Sequence, residues 1–345
     1  MRILTSTLIA SLMAVSGIAQ SLTELYKKVN PSVVVIYTDS KQAAGGGSRL
    51  NTVSAQGIGS GVLIDDNNWY IMTAAHVVQG ADKIRVTFSS GEDVPAQIVS
   101  SIPKADVALL KLDWKPLETK VSAVPLGNSD DVKVGDDVFV IGAPMGLEHS
   151  LSRGIVSGHH HMDKVSSSGK KMDFLQTDAS INQGNSGGPM FNMKGEVVGL
   201  ASFILTQSGG FEGIGFAATS NIAKDLLLER SRFWSGLENV FLPEELAKAL
   251  NVPQNGGLLV QNVVPRSMGG KMGLQGGYFR ANIEGVELLL GGDVLLSLND
   301  IPMTSEENME KIWSVLSEMA PGTSFTLSVL REGKVIALKG SLPVN

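Results

Sequence analysis

Cysteine is missing from all 345 residues. Disulfides, thiolate metal sites and a cysteine nucleophile are excluded together, so packing and hydrogen bonds must hold the fold. Aromatic residues are sparse at 6%, while glycine numbers 39. That balance favours many short strands joined by tight turns. Positive charge is not in excess, since the formal net charge is -6. Neither a nucleic-acid binder nor a polybasic membrane patch is expected from such a balance. Beyond the N-terminus no apolar run is long enough to cross a bilayer. What the chain does have is length for two or three domains and 43% hydrophobic residues, enough to bury a sizeable core.

The N-terminus reads as a targeting segment. Arg2 gives a positive start, residues 3–15 form a short apolar run, and Gly17-Ile18-Ala19 offers small residues for cleavage. A signal peptide over 1–19 and an exported, periplasmic mature chain are expected, with an uncleaved anchor as the alternative. A helix over 22–30 and a strand over 32–38 follow, then a Gly/Ser-rich mobile loop over 41–55. Strands are expected at 59–64, 69–73, 83–88 and 94–100. A second set lies at 137–142, 154–158, 196–201 and 213–217, with loops at 143–153, 159–171 and 205–210.

One stretch organises the rest: Gly184-Asn185-Ser186-Gly187-Gly188-Pro189. Serine is a poor nucleophile unless a base takes its proton and donors stabilise the oxyanion. Gly184 has the backbone freedom to aim its own N–H and that of Ser186 into one concavity. By itself the stretch is equally a plain hairpin turn. The chain also supplies His76, between small residues after an apolar strand, and Asp106, at the mouth of another. Each has a bland reading, a core histidine and a turn-capping carboxylate. Together they make the order His, Asp, Ser, one known arrangement of a catalytic triad. Asp178 is the rival carboxylate. His159-His160-His161 could bind a metal, but neighbours on a strand point to opposite faces, and neither metal nor cofactor is expected.

Thr73-Ala74-Ala75-His76-Val77-Val78, Asp106-Val107-Ala108-Leu109-Leu110-Lys111 and Gln176-Thr177-Asp178-Ala179-Ser180-Ile181-Asn182-Gln183-Gly184-Asn185-Ser186-Gly187-Gly188-Pro189 resemble the HtrA/Deg family of trypsin-like serine proteases. Gly213-Ile214-Gly215-Phe216-Ala217 is similar to that family's pocket strand. The resemblance implies a mostly β protein, a chymotrypsin-like double β-barrel over 20–230 followed by an α+β PDZ domain over 231–345. It carries the triad onto His76, Asp106 and Ser186, the oxyanion hole onto Gly184 and Ser186, and the substrate pocket onto Ser180, Ile214 and Phe216. It also implies a homotrimer. Ala143-Pro144-Met145 departs from the family's more usual Asn-Pro-Phe.

The C-terminal part shows helices at 243–250 and 305–319, the second with Thr304 and Glu307 in a capping-box pattern. Strands at 257–264 and 292–298 and a hairpin over 325–340 complete it. Trp234-Ser235-Gly236-Leu237 is similar to a PDZ carboxylate-binding loop, with Ser235, Gly236 and Leu237 expected at the carboxylate. Residues 276–290 look inserted, without an evident role. The expected function is an exported serine endopeptidase acting on unfolded or damaged protein and binding C-terminal peptides. The alternative is a chaperone or peptide-binding protein with secondary protease activity.

Overall fold

Twelve strands close into two six-stranded barrels, and because a closed barrel has no edge, both sheets satisfy their own backbone hydrogen bonds. The computed structural model describes residues 21–44, 51–147, 149–165, 171–206, 208–229, 234–283 and 286–343. The signal reading over 1–19 and, of the charged junction expected at 229–232 between the two domains, residues 230–232 lie outside these residues. The first barrel comprises β1 (Val33–Ala44), β2 (Asn51–Asp65), β3 (Tyr70–Thr73), β4 (Lys83–Thr87), β5 (Asp93–Ile102) and β6 (Val107–Leu112), in the order β1-β2-β3-β6-β5-β4. The second comprises β7 (Asp137–Gly142), β8 (Ser150–Val165), β9 (Lys171–Thr177), β10 (Pro189–Asn192), β11 (Val197–Ile204) and β12 (Gly215–Thr219), in the order β10-β11-β12-β9-β8-β7.

Side-chain alternation along these strands makes three apolar layers. Val34, Ile36, Leu63, Ile71 and Leu110 form one cluster in the first barrel. Val138, Val140, Leu175, Met190 and Ala217 form another in the second. The opposite faces, with Val33, Val62, Met72 and Leu109 from one barrel and Phe139, Ile141, Phe174 and Phe191 from the other, merge into a shared cluster. The barrels are therefore held by buried apolar area rather than by cross-links. Helix α1 (Leu22–Val29) adds Leu25 and Val29 to this layer. Helix α2 (Ala75–Val78) is a single turn between β3 and β4. Helix α3 (Ser220–Lys224) runs into a π turn over Asp225–Glu229, and Ile222, Leu226 and Leu227 join the shared layer. The sequence reading missed this helical stretch, although its apolar residues stand at helical spacing.

Two expected loops are instead strand pairs. Residues 41–44 and 51–54 continue the β1–β2 ladder, with Lys41 opposite Ser54 and Ala44 opposite Asn51. Residues 159–165 and 171–176 likewise extend β8 and β9, so the three histidines sit on a strand. Glycine and serine content pointed to a loop, but a ladder bonds backbone to backbone and propagates once the register of its apolar part is set.

The C-terminal unit is α+β. Its sheet runs β13 (Leu237–Leu242), β14 (Gly257–Val263), β17 (Val294–Leu298), β19 (Ser324–Arg331), β20 (Lys334–Ser341), with β18 (Ile301–Pro302) on β17. Helices α4 (Glu244–Ala249), α5 (Met268–Lys271) and α6 (Glu306–Glu318) accompany it. Ile312 and Leu316 of α6 are buried against Leu258, Val260 and Val329. The N-cap of α6 is Ser305, whose side chain accepts from the Asn308 amide, rather than the expected Thr304. Thr304 Oγ1 accepts from Asn308 Nδ2 instead. The inserted segment folds as a hairpin of β15 (Phe279–Ile283) and β16 (Val286–Leu290). The Gln261 side chain behaves toward it like a neighbouring strand: Nε2 donates to the Leu289 carbonyl at 3.1 Å and Oε1 accepts from the Leu289 amide at 2.7 Å.

At the foot of this hairpin Asp293 is 1% exposed. It accepts from Arg331 Nε and Nη2 at 2.7 Å each and from the Gln275 amide at 2.9 Å. Hydrogen bonding to Asp293 raises the Arg331 pKa above its ordinary value. Removing one member of a buried pair strands the other charge, at a cost of about 3–5 kcal/mol. Arg331→Met should therefore destabilise the C-terminal unit by that order while leaving the barrels intact. Urea unfolding of the full chain, with hydrogen exchange resolved over 257–298 and over β7–β12, checks this; equal exchange in both regions would refute it.

Candidate active site

The site is built on the segment between β9 and β10. Gly184 has φ +103° and Gly187 φ +79°, values that favour glycine. A Cβ at Gly187 would lie 2.1 Å from Thr73 Oγ1 and 2.4 Å from the Ser60 carbonyl oxygen, so no larger residue fits. The turn is closed by Asn185 N–H donating to the Asn182 carbonyl and Gly188 N–H to that of Asn185. Among the described residues, the amides of Gly184 and Ser186 donate to no protein group. Two nearby amides are thus left for an acceptor from outside, as an oxyanion hole requires.

The first barrel supplies an imidazole and a carboxylate. His76 stands on α2, directly after β3. Asp106 closes the turn from β5 to β6 with φ +52°, an uncommon backbone conformation for aspartate. Its carboxylate accepts three hydrogens. The His76 backbone amide donates at 3.0 Å, and His76 Nδ1 lies 2.9 Å from both carboxylate oxygens. The third comes from the Ser202 hydroxyl on β11, in a short contact. Because the carboxylate is acceptor-only, Nδ1 must carry the hydrogen, which leaves the Nε2 lone pair of neutral His76 outward. The His76 side chain is 48% exposed and that of Asp106 17%. Ser202, 3% exposed, was not foreseen from the sequence, where a serine on a strand carries no signal.

The turn holding Ser186 abuts the segment leading to His76, since Gly187 packs on Thr73 and Ala74. Among the described residues the Ser186 hydroxyl has no hydrogen-bond partner, so the contact to His76 is not closed in this structure. Asp178 is engaged elsewhere: its Oδ1 accepts from the Ile155 amide at 2.7 Å. Ser180 is exposed, and its carbonyl accepts from Ser152 Oγ at 2.9 Å and Asn185 Nδ2 at 3.3 Å. Ile214 and Phe216 pack with the shared layer, and Phe216 stacks on Phe203 with centroids 4.8 Å apart. The three histidines diverge. His160 Nε2 bonds Gln176 and its ring meets Phe216 edge-on, while His161 pairs with Asp173. Among the described residues no group of three or more His, Asp or Glu could hold a metal ion.

In the C-terminal unit Gly236 has φ +68°, and a Cβ there would lie 1.9 Å from that of Ser267. The Ser235 and Gly236 carbonyls accept from the Gly269 and Val264 amides, each at 2.9 Å. The Leu237 amide reaches Ser235 Oγ at 3.4 Å. Among the described residues the amides of Ser235 and Gly236 donate to no protein group. They precede β13, which among the described residues is an edge strand paired with β14. Leu237 joins the cluster that contains Ile312 and Leu316 of α6.

Two closed β-barrels with a His–Asp pair on one and a serine turn on the other define the trypsin-like class, and residues 59–200 match the family model described as a trypsin-like peptidase domain. The periplasmic pH-dependent serine endoprotease DegQ of Escherichia coli (strain K12) is 32% identical, over 98% of this chain and 76% of that protein. A probable periplasmic serine endoprotease DegP-like of Pseudomonas fulva (strain 12-X) is 37% identical over 88% of this chain. This chain spans 60% of that relative's length. Among solved structures, the HtrA-type protease AlgW with decapeptide superposes with TM-score 0.52 at 27% identity, over 94% of this chain and 99% of that one. The chain belongs to the HtrA/Deg family of trypsin-like serine proteases. No described helix is long and apolar enough to cross a membrane.

The bonding at Asp106 makes the two carboxylates separable by experiment. Asp106→Asn should lower kcat on a peptide substrate by about 10⁴-fold, because the amide no longer fixes the His76 tautomer. Ser202→Ala removes one donor and should cost about tenfold. Asp178→Asn should stay within that smaller range; if it matched Asp106→Asn, Asp178 would be the orienting group.

Proposed function

We propose that this chain is an exported, periplasmic serine endopeptidase acting on unfolded or damaged protein, with a PDZ domain that binds C-terminal peptides. The observation that carries it is the Asp106–His76 pair beside a serine turn with two amides that donate to no protein group among the described residues. Ser186 Oγ attacks the scissile carbonyl while His76 Nε2 takes its proton. Asp106 holds the resulting imidazolium. The carbonyl oxygen becomes an oxyanion and accepts from the Gly184 and Ser186 amides. Collapse breaks the C–N bond, and His76 gives its proton to the leaving amine. Water, deprotonated by His76, then hydrolyses the acyl ester and restores the Ser186 hydroxyl. Substrate binding closes the Ser186–His76 contact, as such bonds commonly tighten only in the complex. The chain works as a homotrimer joined through its protease domains, with no cofactor.

The pocket for the residue before the cut is assigned to Ser180, Ile214 and Phe216. A pocket selecting basic side chains needs a carboxylate at its base, and Ser180 stands there instead. Cleavage should follow Val, Ala, Ile or Leu. Digestion of a casein-like unfolded protein by wild type and Ser186→Ala, with the cut sites sequenced, tests both statements. Ser186→Ala should lose about 10⁴–10⁶ in kcat; residual cleavage at the wild-type rate, or cuts mainly after Lys and Arg, would refute them.

Peptide capture is assigned to the Ser235, Gly236 and Leu237 loop and the free edge of β13, where a C-terminal segment adds as a strand. The unengaged Ser235 and Gly236 amides suit a carboxylate without a charged side chain. Binding raises activity only if the peptide favours the competent arrangement of the protease turns. A free apolar-ended peptide in trans should therefore speed cleavage of a reporter too short to reach the PDZ groove. An unchanged reporter rate at saturating peptide, with deletion of 232–345 slowing only long substrates, would reduce the domain to a tether.

A further inference from the structure

The structure assigns to Ser60 the role of positioning residue for the oxyanion turn, exerted from the opposite barrel; this rests on the serine-protease reading. Ser60 lies on β2, between Gly59 and Gly61, and is 0% exposed. Every polar group it has is used. Its amide donates to the Ser186 carbonyl at 2.8 Å. Its hydroxyl donates to the Gly184 carbonyl at 2.7 Å. The same oxygen accepts from the Ala143 amide at 3.0 Å, and the Ser60 carbonyl accepts from the Thr73 hydroxyl at 2.7 Å.

Peptide planarity turns these bonds into control of the hole. The Gly184 carbonyl shares a rigid plane with the Asn185 amide, which is itself bonded to Asn182. The Ser186 carbonyl shares a plane with the Gly187 amide, which donates to Ala201 at 2.6 Å. The plane between them carries the Ser186 N–H, and with both neighbours pinned it has little freedom to turn. The Gly184 N–H lies on the near side of the first pinned plane. One residue of the barrel that carries His76 and Asp106 thus sets the donors on the barrel that carries Ser186. Through Ala143 it also holds the start of the 143–149 segment. The site is tailored to a serine: a Cβ on Gly142 would stand 3.0 Å from Ser60 Oγ, and one on Gly188 3.2 Å from Ser60 Cβ.

Ser60→Ala deletes the hydroxyl and keeps the backbone bonds. Its test pairs peptide kinetics with amide hydrogen exchange of the full chain. The expected result is a loss in kcat of about tenfold or more with KM held within about twofold, since the affected donors act on the oxyanion rather than on the bound substrate. Exchange should rise in peptides covering 182–188 and 143–147 and stay at wild-type levels elsewhere. Unchanged kcat with unchanged exchange would overturn the assignment. So would a rise in exchange throughout both barrels, which marks a merely structural role. Ser186→Ala run alongside separates the two readings. If it cleaves like wild type, the protease reading fails, and the exchange in Ser60→Ala still decides on Ser60.

Discussion

The hydrogen bonding of one carboxylate determines what the rest of the site can do. Asp106 receives the backbone and ring of His76 from its own barrel and the Ser202 hydroxyl from the other. A half-exposed imidazole would otherwise sample both tautomers and several orientations. Held at Nδ1, it can only offer Nε2. The carboxylate itself sits in the left-handed backbone region at the end of a tight turn. Such a conformation persists only where the surroundings over-determine it. Here the antiparallel β5–β6 pair, joined from Ile102 opposite Val107, fixes both ends of the turn.

The two barrels stay in register through bonds of different kinds. The shared apolar layer holds them together without regard to direction. Direction comes from a few polar contacts that cross between them, Ser202 to Asp106 and Ser60 to the Ser186 turn. The apolar layer tolerates exchange among residues of like volume. The crossing hydroxyls do not: Ser60 satisfies the buried Gly184 carbonyl, and Ser202 donates to a carboxylate that is largely withdrawn from water.

Much of this was legible in the sequence, for a physical reason. A tight serine turn needs glycine at positions where the backbone angles or the closeness of neighbours forbid a Cβ, so Gly184 and Gly187 mark it. His76 and Asp106 stand out because each follows or opens an apolar strand. Ser202 and Ser60 were not legible: on a strand a serine is ordinary, and their partners lie 96 and 124 residues away in the chain. The capping-box pattern singled out Thr304 through Glu307, whereas the hydroxyl one residue on, Ser305, accepts the Asn308 amide and caps α6. Residues 41–44, 51–54 and 159–165 were read as loop yet extend β1, β2 and β8, because ladder hydrogen bonds leave no trace in side-chain composition.

The C-terminal sheet, unlike the barrels, has two open margins. β20 carries Lys334 and Lys339, side chains of the kind that keep an unpaired strand soluble by making a dry neighbour unwelcome. β13 carries no lysine. Natural sheets seldom leave a margin ungated, because any extended chain can adhere to it. The contrast is one of charge: lysines guard the β20 flank, while the charge on β13 is Glu238, whose carboxylate lies beside Gly80 of the first barrel. A strand adding at β13 therefore meets no lysine, whereas one adding at β20 would have to desolvate two.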